Sequence, residues 1–342
     1  MAAITFEEVD LEASVPDLKA GQGWTTTGLR WRRDPLTGRS ARILTGVKLQ
    51  PGARPEGLAA LTAKPAFCPF CAEHLDQATF PFPAELSDEG RIRRGQAVVV
   101  PNILAYATHT AVGIYDADRH FLDLDELTPG VVGDALAAMV HHARAVRRLD
   151  PTATWSSINA NYLPPSGSSL VHPHLQSAHD SCGLTAQRNL VQCSGAWTGP
   201  ESYWRALVDQ ERSGPRWIGT IGRVAWLTPF APTGFHEVWA IVDGAADVID
   251  LTDEDTAALG EGLSRVFAAY YGWNLTSFNF GITGGGPHAA RDRYSLLLKV
   301  VSRANAEPMY RSEVTYFERI HDEALIDVSP DEIAAGLRAR WH

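Results

Sequence analysis

The chain has 342 residues, 45% of them hydrophobic, with 30 Lys and Arg against 40 Asp and Glu and a formal charge of -10. That is enough apolar material for a large core, in two domains or in duplicated halves, and the acidic balance argues against non-specific binding to nucleic acid or an anionic membrane, which needs clustered basic residues. No apolar run approaches the roughly 20 residues of a membrane span, and the N-terminal stretch lacks the basic and apolar regions of a signal peptide, so the expected location is cytoplasmic.

The opening segment is rich in Gly, Pro and Arg, and Trp31-Arg-Arg33-Asp-Pro35-Leu-Thr-Gly38 reads as a turn between two short strands. Arg42, Lys48 and Arg54 follow in a poorly periodic basic stretch, either a solvated arm or an anion-contacting loop. Of four cysteines, too few for a disulfide framework, two form Cys68-Pro-Phe-Cys71. That pair is a redox motif or half of a tetrahedral metal site. Pro65 interrupts the stretch before it, where a redox motif would need a buried strand, so the metal reading is favoured. It requires two further ligands, for which His120 and His172 are candidates. Cys182 and Cys193 have no such spacing and read as structural.

Gln96 to Asn102 is a short apolar strand that ends at an Asn placed to meet a ligand, and His109 to Asp116 reads as a second strand. A helix is expected from about Gly130 to Leu149, with Val131, Leu136, Met139, Val140, Ala143 and Val146 on one apolar stripe. His141 and His142 on that helix read as surface residues. Ser156 to Asn161 then opens a strand and a polar loop that runs into His172-Pro-His174-Leu-Gln176. In an extended strand, residues two apart share a face, so His172, His174 and Gln176 line one wall while Leu175 points into the core. Gly167, Ser168 and Ser169 in the preceding loop supply backbone N–H groups and hydroxyls able to cradle a phosphate.

The order strand, strand, helix, strand then returns. At a constant offset Ile114 matches Ile241, Asp116 matches Asp243, Asp123 matches Asp250 and Leu124 matches Leu251. A second helix is expected from Thr252, as N-cap, to about Tyr271, with Leu259, Leu263, Val266 and Phe267 inward. Thr276-Ser-Phe-Asn279 echoes Ser156-Ser-Ile-Asn159, which supports an internal duplication. In this alignment Asp247 takes the place of His120, and Tyr294 to Arg303 stands where the histidine strand should be, without a histidine. Gly281 to Gly286 lacks the Lys-Ser/Thr ending of a phosphate-binding P-loop and reads as a connection. Ser329-Pro-Asp-Glu332 is a capping box that starts a terminal helix.

Taken together, Arg33-x-Pro35-Leu-Thr-Gly38, Cys68-x-x-Cys71, His120 and Asn161-x5-Gly167-x-Ser169-x2-His172-Pro-His174-x-Gln176 resemble, in order and over nearly the whole length, the galactose-1-phosphate uridylyltransferase family, duplicated members of the histidine-triad superfamily. The resemblance implies an α+β fold of two fused histidine-triad-like halves, an antiparallel sheet with helices packed on it, divided at 1–185 and 186–342. It implies that His174 is a nucleophile that carries a nucleoside monophosphate, UMP in that family, between sugar 1-phosphates. Gln176 takes the place of a third His found in related hydrolases and favours transfer over hydrolysis. Asn161, Gly167, Ser168 and Ser169 would hold the phosphates, Asn102 the nucleoside, and Lys48 and Arg54 the early phosphate contacts. Cys68, Cys71, His120 and His172 match the family's Zn2+ ligands. Nucleotide sugars and sugar 1-phosphates would be the substrates and a homodimer the assembly. A dinucleoside polyphosphate phosphorylase or hydrolase, and a zinc-stabilised nucleotide-binding protein without activity, are the alternatives.

Overall fold

The computed structural model describes residues 4–17, 21, 23–45, 53–286, 292–307 and 309–341; Lys48 lies outside them. Strands β1 (Glu7–Pro16), β2 (Trp24–Arg33) and β3 (Ser40–Leu44) form a small antiparallel sheet around the expected turn, where Asp34 accepts hydrogen bonds from the backbone and hydroxyl of Thr37. Ten strands form the main sheet. They are β4 (Ile92–Arg94), β5 (Ala97–Pro101), β6 (His109–Ile114), β7 (Trp155–Tyr162), β8 (His174–Asp180), β9 (Trp217–Ile221), β10 (Val224–Leu227), β11 (Val238–Val242), β12 (Phe278–Thr283) and β13 (Leu296–Ser302). A last strand, β14 (Ala324–Ile326), joins the small sheet parallel to β3, so a C-terminal segment completes an N-terminal sheet.

The main sheet is antiparallel in the order β4, β5, β6, β8, β7, β12, β13, β11, β10, β9. Read outward from the central β7–β12 pair, both halves have the same order. Helices α1 (Leu58–Leu61) and α2 (Ala72–Ala78) precede the sheet, while α3 (Pro129–Leu149) and α6 (Asp253–Gly272) pack on one face of it. Between them in sequence lie α4 (Thr185–Ala196) and α5 (Tyr203–Glu211), and α7 (Tyr316–His321) and α8 (Pro330–Arg338) close the chain. Pro129 sits in the first turn of α3, where a missing N–H costs nothing. Thr252 caps α6, accepting from the Asp255 backbone N–H, while Asp255 accepts from that of Thr252. The two helices cross at glycines: a Cβ on Gly260 would come 2.6 Å from the backbone N of Gly133. Ile158, Leu175, Phe278 and Leu298 are fully buried beneath them, each contributing about 1.5–3 kcal/mol.

The opposite face is covered at both sides and open in the middle. Over β5 and β6, Val98, Val100, Val112 and Ile114 pack against Cys68, Phe70, Cys71 and Leu75. Over β11 and β13, Trp239, Ile241 and Leu297 pack against Leu190, Tyr203 and Trp204 from α4 and α5. Between these covers Asn159, Asn161, Gln176, Asn279 and Gly281 stay partly exposed. That open strip holds the candidate site.

Several expectations need correction. His142 is not a surface residue. It is 1% exposed and lies between Phe82 and His179, with ring centroids at 5.1 and 5.2 Å, because α3 buries more of its circumference than its apolar stripe predicts. Gly281 to Thr283 is not a connection but the end of β12, paired on both sides. Cys182 is exposed and Cys193 partly so, so neither holds the core. Asp247 does not replace His120. It precedes the short 3-10 turn Val248–Asp250, as Asp123 precedes Leu124–Glu126, and Thr252 matches Thr128 at the helix start. The first half therefore has extra residues between strand and cap, and His120 occupies them.

Candidate active site and metal centre

Three chain segments far apart in sequence build the candidate metal quartet. Cys68 and Cys71 form a tight turn, with the Cys71 N–H donating to the Cys68 carbonyl, and Cys71 caps α2. The Ala72 N–H donates to the carbonyl of Ala117, which fastens this turn to the loop that carries His120. His172 ends the loop before β8. The ligating atoms of Cys68, Cys71, His120 and His172 all lie within 4.8 Å of one another.

The donor set fits a tetrahedral cation. Cys68 Sγ is 3.6 Å from His172 Nδ1, and Cys71 Sγ is 3.5 Å from His120 Nδ1 and 3.7 Å from His172 Nδ1. Ordinary Zn–S and Zn–N bonds at a tetrahedral angle give a sulfur-to-nitrogen edge of about 3.6 Å. Two thiol protons cannot serve three such contacts, whereas one cation serves all of them. His172 Nε2–H donates to the carbonyl of Asp116 at 2.8 Å, which leaves Nδ1 bare toward the sulfurs. Burial, and then the neighbouring Cys68, push the Cys71 thiol up to about 11, while burial holds His172 down to about 4. A bound cation would reverse the thiol shift. The residues can hold a metal.

His174 is the first residue of β8 and is 7% exposed. Its Nδ1–H donates to the carbonyl of His172 at 2.9 Å, so the lone pair is on Nε2. Burial lowers its pKa below the ordinary imidazole value, which keeps the ring neutral at pH 7. The Phe70 ring meets both His174 and His172 edge-on, at 5.2 and 6.0 Å between centroids. Through Phe70 the cysteine turn therefore packs directly on the candidate nucleophile. Pro173 puts His172 outside the strand, so the expected row of three splits. His172 turns to the sulfurs, while His174 and Gln176 stay on the open strip.

Gln176 stands opposite Asn159 on β7, and Asn161 stands opposite Asn279 on β12. The loop after β7 bends sharply, with Leu163 at φ 67° and Gly167 at φ 93° in the left-handed region. A Cβ on Gly167 would meet nothing within 4 Å, so the conformation rather than space favours glycine there. Ser166 donates to the carbonyl of Leu163, and Ser168 donates to that of Leu170 at 2.6 Å. The Ser168 proton thus rigidifies the loop. Ser169 is exposed at its surface.

Two expected contacts are committed elsewhere. Asn102 shares the parity of Val98 and Val100 on the open face, but its amide organises its own loop, donating to Tyr106 Oη at 3.0 Å and accepting from Leu104 N–H at 2.9 Å. Arg54 pairs with Asp123 and lies 4.4 Å from the Tyr271 ring. Sequence reasoning missed Asn159, Asn279 and Arg303. Asn159 and Asn161 alternate just as His174 and Gln176 do, a signal open to reading. Asn279 was legible only as an echo of the first half, because its role depends on the β7–β12 pairing.

No family model matches the chain. An uncharacterised protein of Archaeoglobus fulgidus is 27% identical over 313 residues, 91% of this chain and 92% of the relative. Among solved structures, a GalT-like protein from Arabidopsis thaliana superposes with a TM-score of 0.68 at 18% identity, covering 90% of this chain and 98% of its own. An ADP-glucose phosphorylase from the same plant, solved with ADP-glucose, gives 0.68 at 18% identity over 91% of this chain and 98% of its own. A uridylyltransferase gives 0.64 at 20% identity over 91% and 98%. This chain, with its ten-stranded sheet covered by helices on one face, has the fold of the GalT-like proteins and uridylyltransferases.

Proposed function

We propose that the protein is a nucleotidyltransferase in which His174 carries a nucleoside monophosphate between phosphorylated partners. The observation that carries this reading is the His174 hydrogen bond: Nδ1–H is tied to a backbone carbonyl, which leaves the lone pair on Nε2 of a ring that strand parity puts on the same side of β8 as Gln176. Nε2 attacks the α-phosphorus of a nucleoside-diphosphate sugar. A P–N bond forms as the bond to the bridging oxygen breaks, and the sugar 1-phosphate leaves with that electron pair. An oxygen of a second phosphate then attacks phosphorus, and the imidazole leaves neutral. Gln176 is placed to hold phosphoryl oxygens without supplying a proton, which disfavours activation of water. Asn161, the Gly167 backbone, Ser168 and Ser169 form the phosphate loop with Lys48 as a further phosphate contact, Asn102 and its loop border the nucleoside, and Arg54, paired with Asp123, braces the loop beside them instead of meeting phosphate. Cys68, Cys71, His120 and His172 would hold Zn2+, which would tie the cysteine turn to the nucleophile strand. We place the division between halves at 185/186, at the first residue of α4.

UMP and hexose 1-phosphates are the first substrates to test. A second reading, with orthophosphate as acceptor and an adenylyl donor, is supported by the likeness to ADP-glucose phosphorylase over 91% of the chain. Initial rates with UDP-glucose or ADP-glucose, against galactose 1-phosphate or orthophosphate, separate the two. The proposal expects parallel double-reciprocal lines for one donor–acceptor pair and an acidic limb of kcat/KM that sets in only below pH ~6.5, where the imidazole, its pKa lowered by burial, takes up a proton. Intersecting lines, which require both substrates bound at once, would count against a carried nucleotide.

A further inference from the structure

The second half supplies the open strip with one side chain whose bonds are fully determined. Asn279 on β12 has its Nδ2 2.6 Å from Asn161 Oδ1, 3.0 Å from the Ser166 carbonyl and 3.2 Å from the Ala160 carbonyl. Its Oδ1 accepts from Arg303 Nη1 at 2.5 Å. Arg303 is in turn held by Glu313, which pairs with its Nε and also accepts from the Ala304 N–H at 3.0 Å.

The two ends of an asparagine amide are ordinarily hard to tell apart. Here the chemistry decides. A guanidinium has donors only, so the oxygen of Asn279 must face Arg303. Its NH2 then faces three acceptors, two of them backbone carbonyls that cannot be anything else. The Asn161 atom toward it is therefore oxygen, and the Asn161 NH2 points away from β12. Among the described residues that NH2 has no recorded partner.

We propose that Asn279 is a positioning residue that fixes the Asn161 amide with its donor end toward a substrate phosphate and pins the Ser166 turn of the phosphate loop. The proposal rests on the phosphate role given to Asn161 above. On this view the second half does more than support the sheet. It sets the polarity of a first-half ligand through the chain Glu313, Arg303, Asn279, Asn161. It also links the phosphate loop to the segment around Glu313.

Asn279→Asp is the sharpest probe because it keeps shape and the Arg303 contact but leaves only acceptors, so Asn161 must turn its oxygen toward the phosphate. We expect AMP or UMP affinity by calorimetry to fall about tenfold or more and labelling of His174 by a nucleotide sugar to slow at least as much, with bound metal unchanged. Asn279→Ala, which frees Asn161 without reversing it, should lose less. The added negative charge alone would act equally without Asn161. The decisive comparison is therefore the Asn161→Ala background, where the loss caused by Asn279→Asp should shrink about threefold or more, leaving only what the unpinned Ser166 turn costs. Wild-type behaviour of Asn279→Asp, or an undiminished effect in that background, overturns the proposal. If no donor labels the wild type, the transfer reading fails, and the nucleotide affinities still decide the relay. If wild type binds neither nucleotide, both fall.

Discussion

Strands β8 and β13 hold matching places in the two halves, each fourth from the outer edge of its five strands, and they differ chiefly in what lies over them. On the open side β8 presents His174 and Gln176, with only Phe70 and the cysteine turn beside them. On the same side β13 presents Leu297, Lys299 and Val301. Leu297 is sealed under Trp204 and Trp239, and the Lys299 ammonium lies 5.0 Å from the Trp239 ring. A cover that buries one wall in aromatic surface gains packing and loses access, while a cover gathered around the Cys68, Cys71, His120 and His172 cluster leaves the adjoining strip open. The difference teaches that a duplicated sheet can divide labour by its coverings, since strand order is the same in both halves.

The largest expected effect breaks the first cover. Cys68→Ser or Cys71→Ser should remove most of the bound metal, read by elemental analysis, and lower Tm by roughly 10 °C, because ligand binding and folding of the turn are linked. Labelling of His174 should fall with it, since Phe70 would no longer be held against the ring. Full metal content in Cys68→Ser would contradict the four-ligand site.

Next, Gln176→His restores an ionisable group beside the nucleophile and should shorten the lifetime of the labelled enzyme in water by about tenfold or more. An unchanged lifetime would remove Gln176 from the choice between transfer and hydrolysis.

A smaller effect lies on the helix side. There β8 carries Ser177 and His179, where β13 carries Leu298 and Val300. Burial holds His179 down to about 4 and His142 well below an ordinary imidazole. Their folded pKa values are depressed, so the unfolded chain takes up protons first. The stability they contribute is complete above pH ~6.5 and is lost as pH falls toward 4. Thermal melts from pH 7.5 to 4.5 should show this decline, and His142→Phe should flatten it. A slope identical to wild type would show that other groups govern it.

The smallest effect is expected on the covered wall. Lys299→Ala should leave labelling untouched and cost about 1 kcal/mol or less, the worth of a cation–π contact. A labelling defect there would mean that the second wall takes part.

Much of this contrast was legible in the sequence. Period-two alternation exposed the strand at His174, caps at Thr252 and Ser329 marked helix starts, and the Cys68, Cys71, His120, His172 set was nameable because the cysteine pair suggested a metal and the family resemblance supplied its two histidines. What escaped depended on tertiary register. Gly281 to Thr283 looked like part of a connection because propensity cannot foresee pairing on both sides. His142 looked solvated because burial between Phe82 and His179 comes from two other elements. Arg54 was expected at phosphate, and only folding brings Asp123 and Tyr271 to it. Asn279 had no motif, and its meaning comes from facing Asn161.

The central claim is that the nucleotide is carried on His174. Intact-mass measurement after incubation with UDP-glucose, ADP-glucose and other nucleotide sugars should show the wild-type chain gaining one nucleoside monophosphate with a single donor class, and His174→Ala gaining none. No mass gain in the wild type with any donor, or the same gain in His174→Ala, would contradict it.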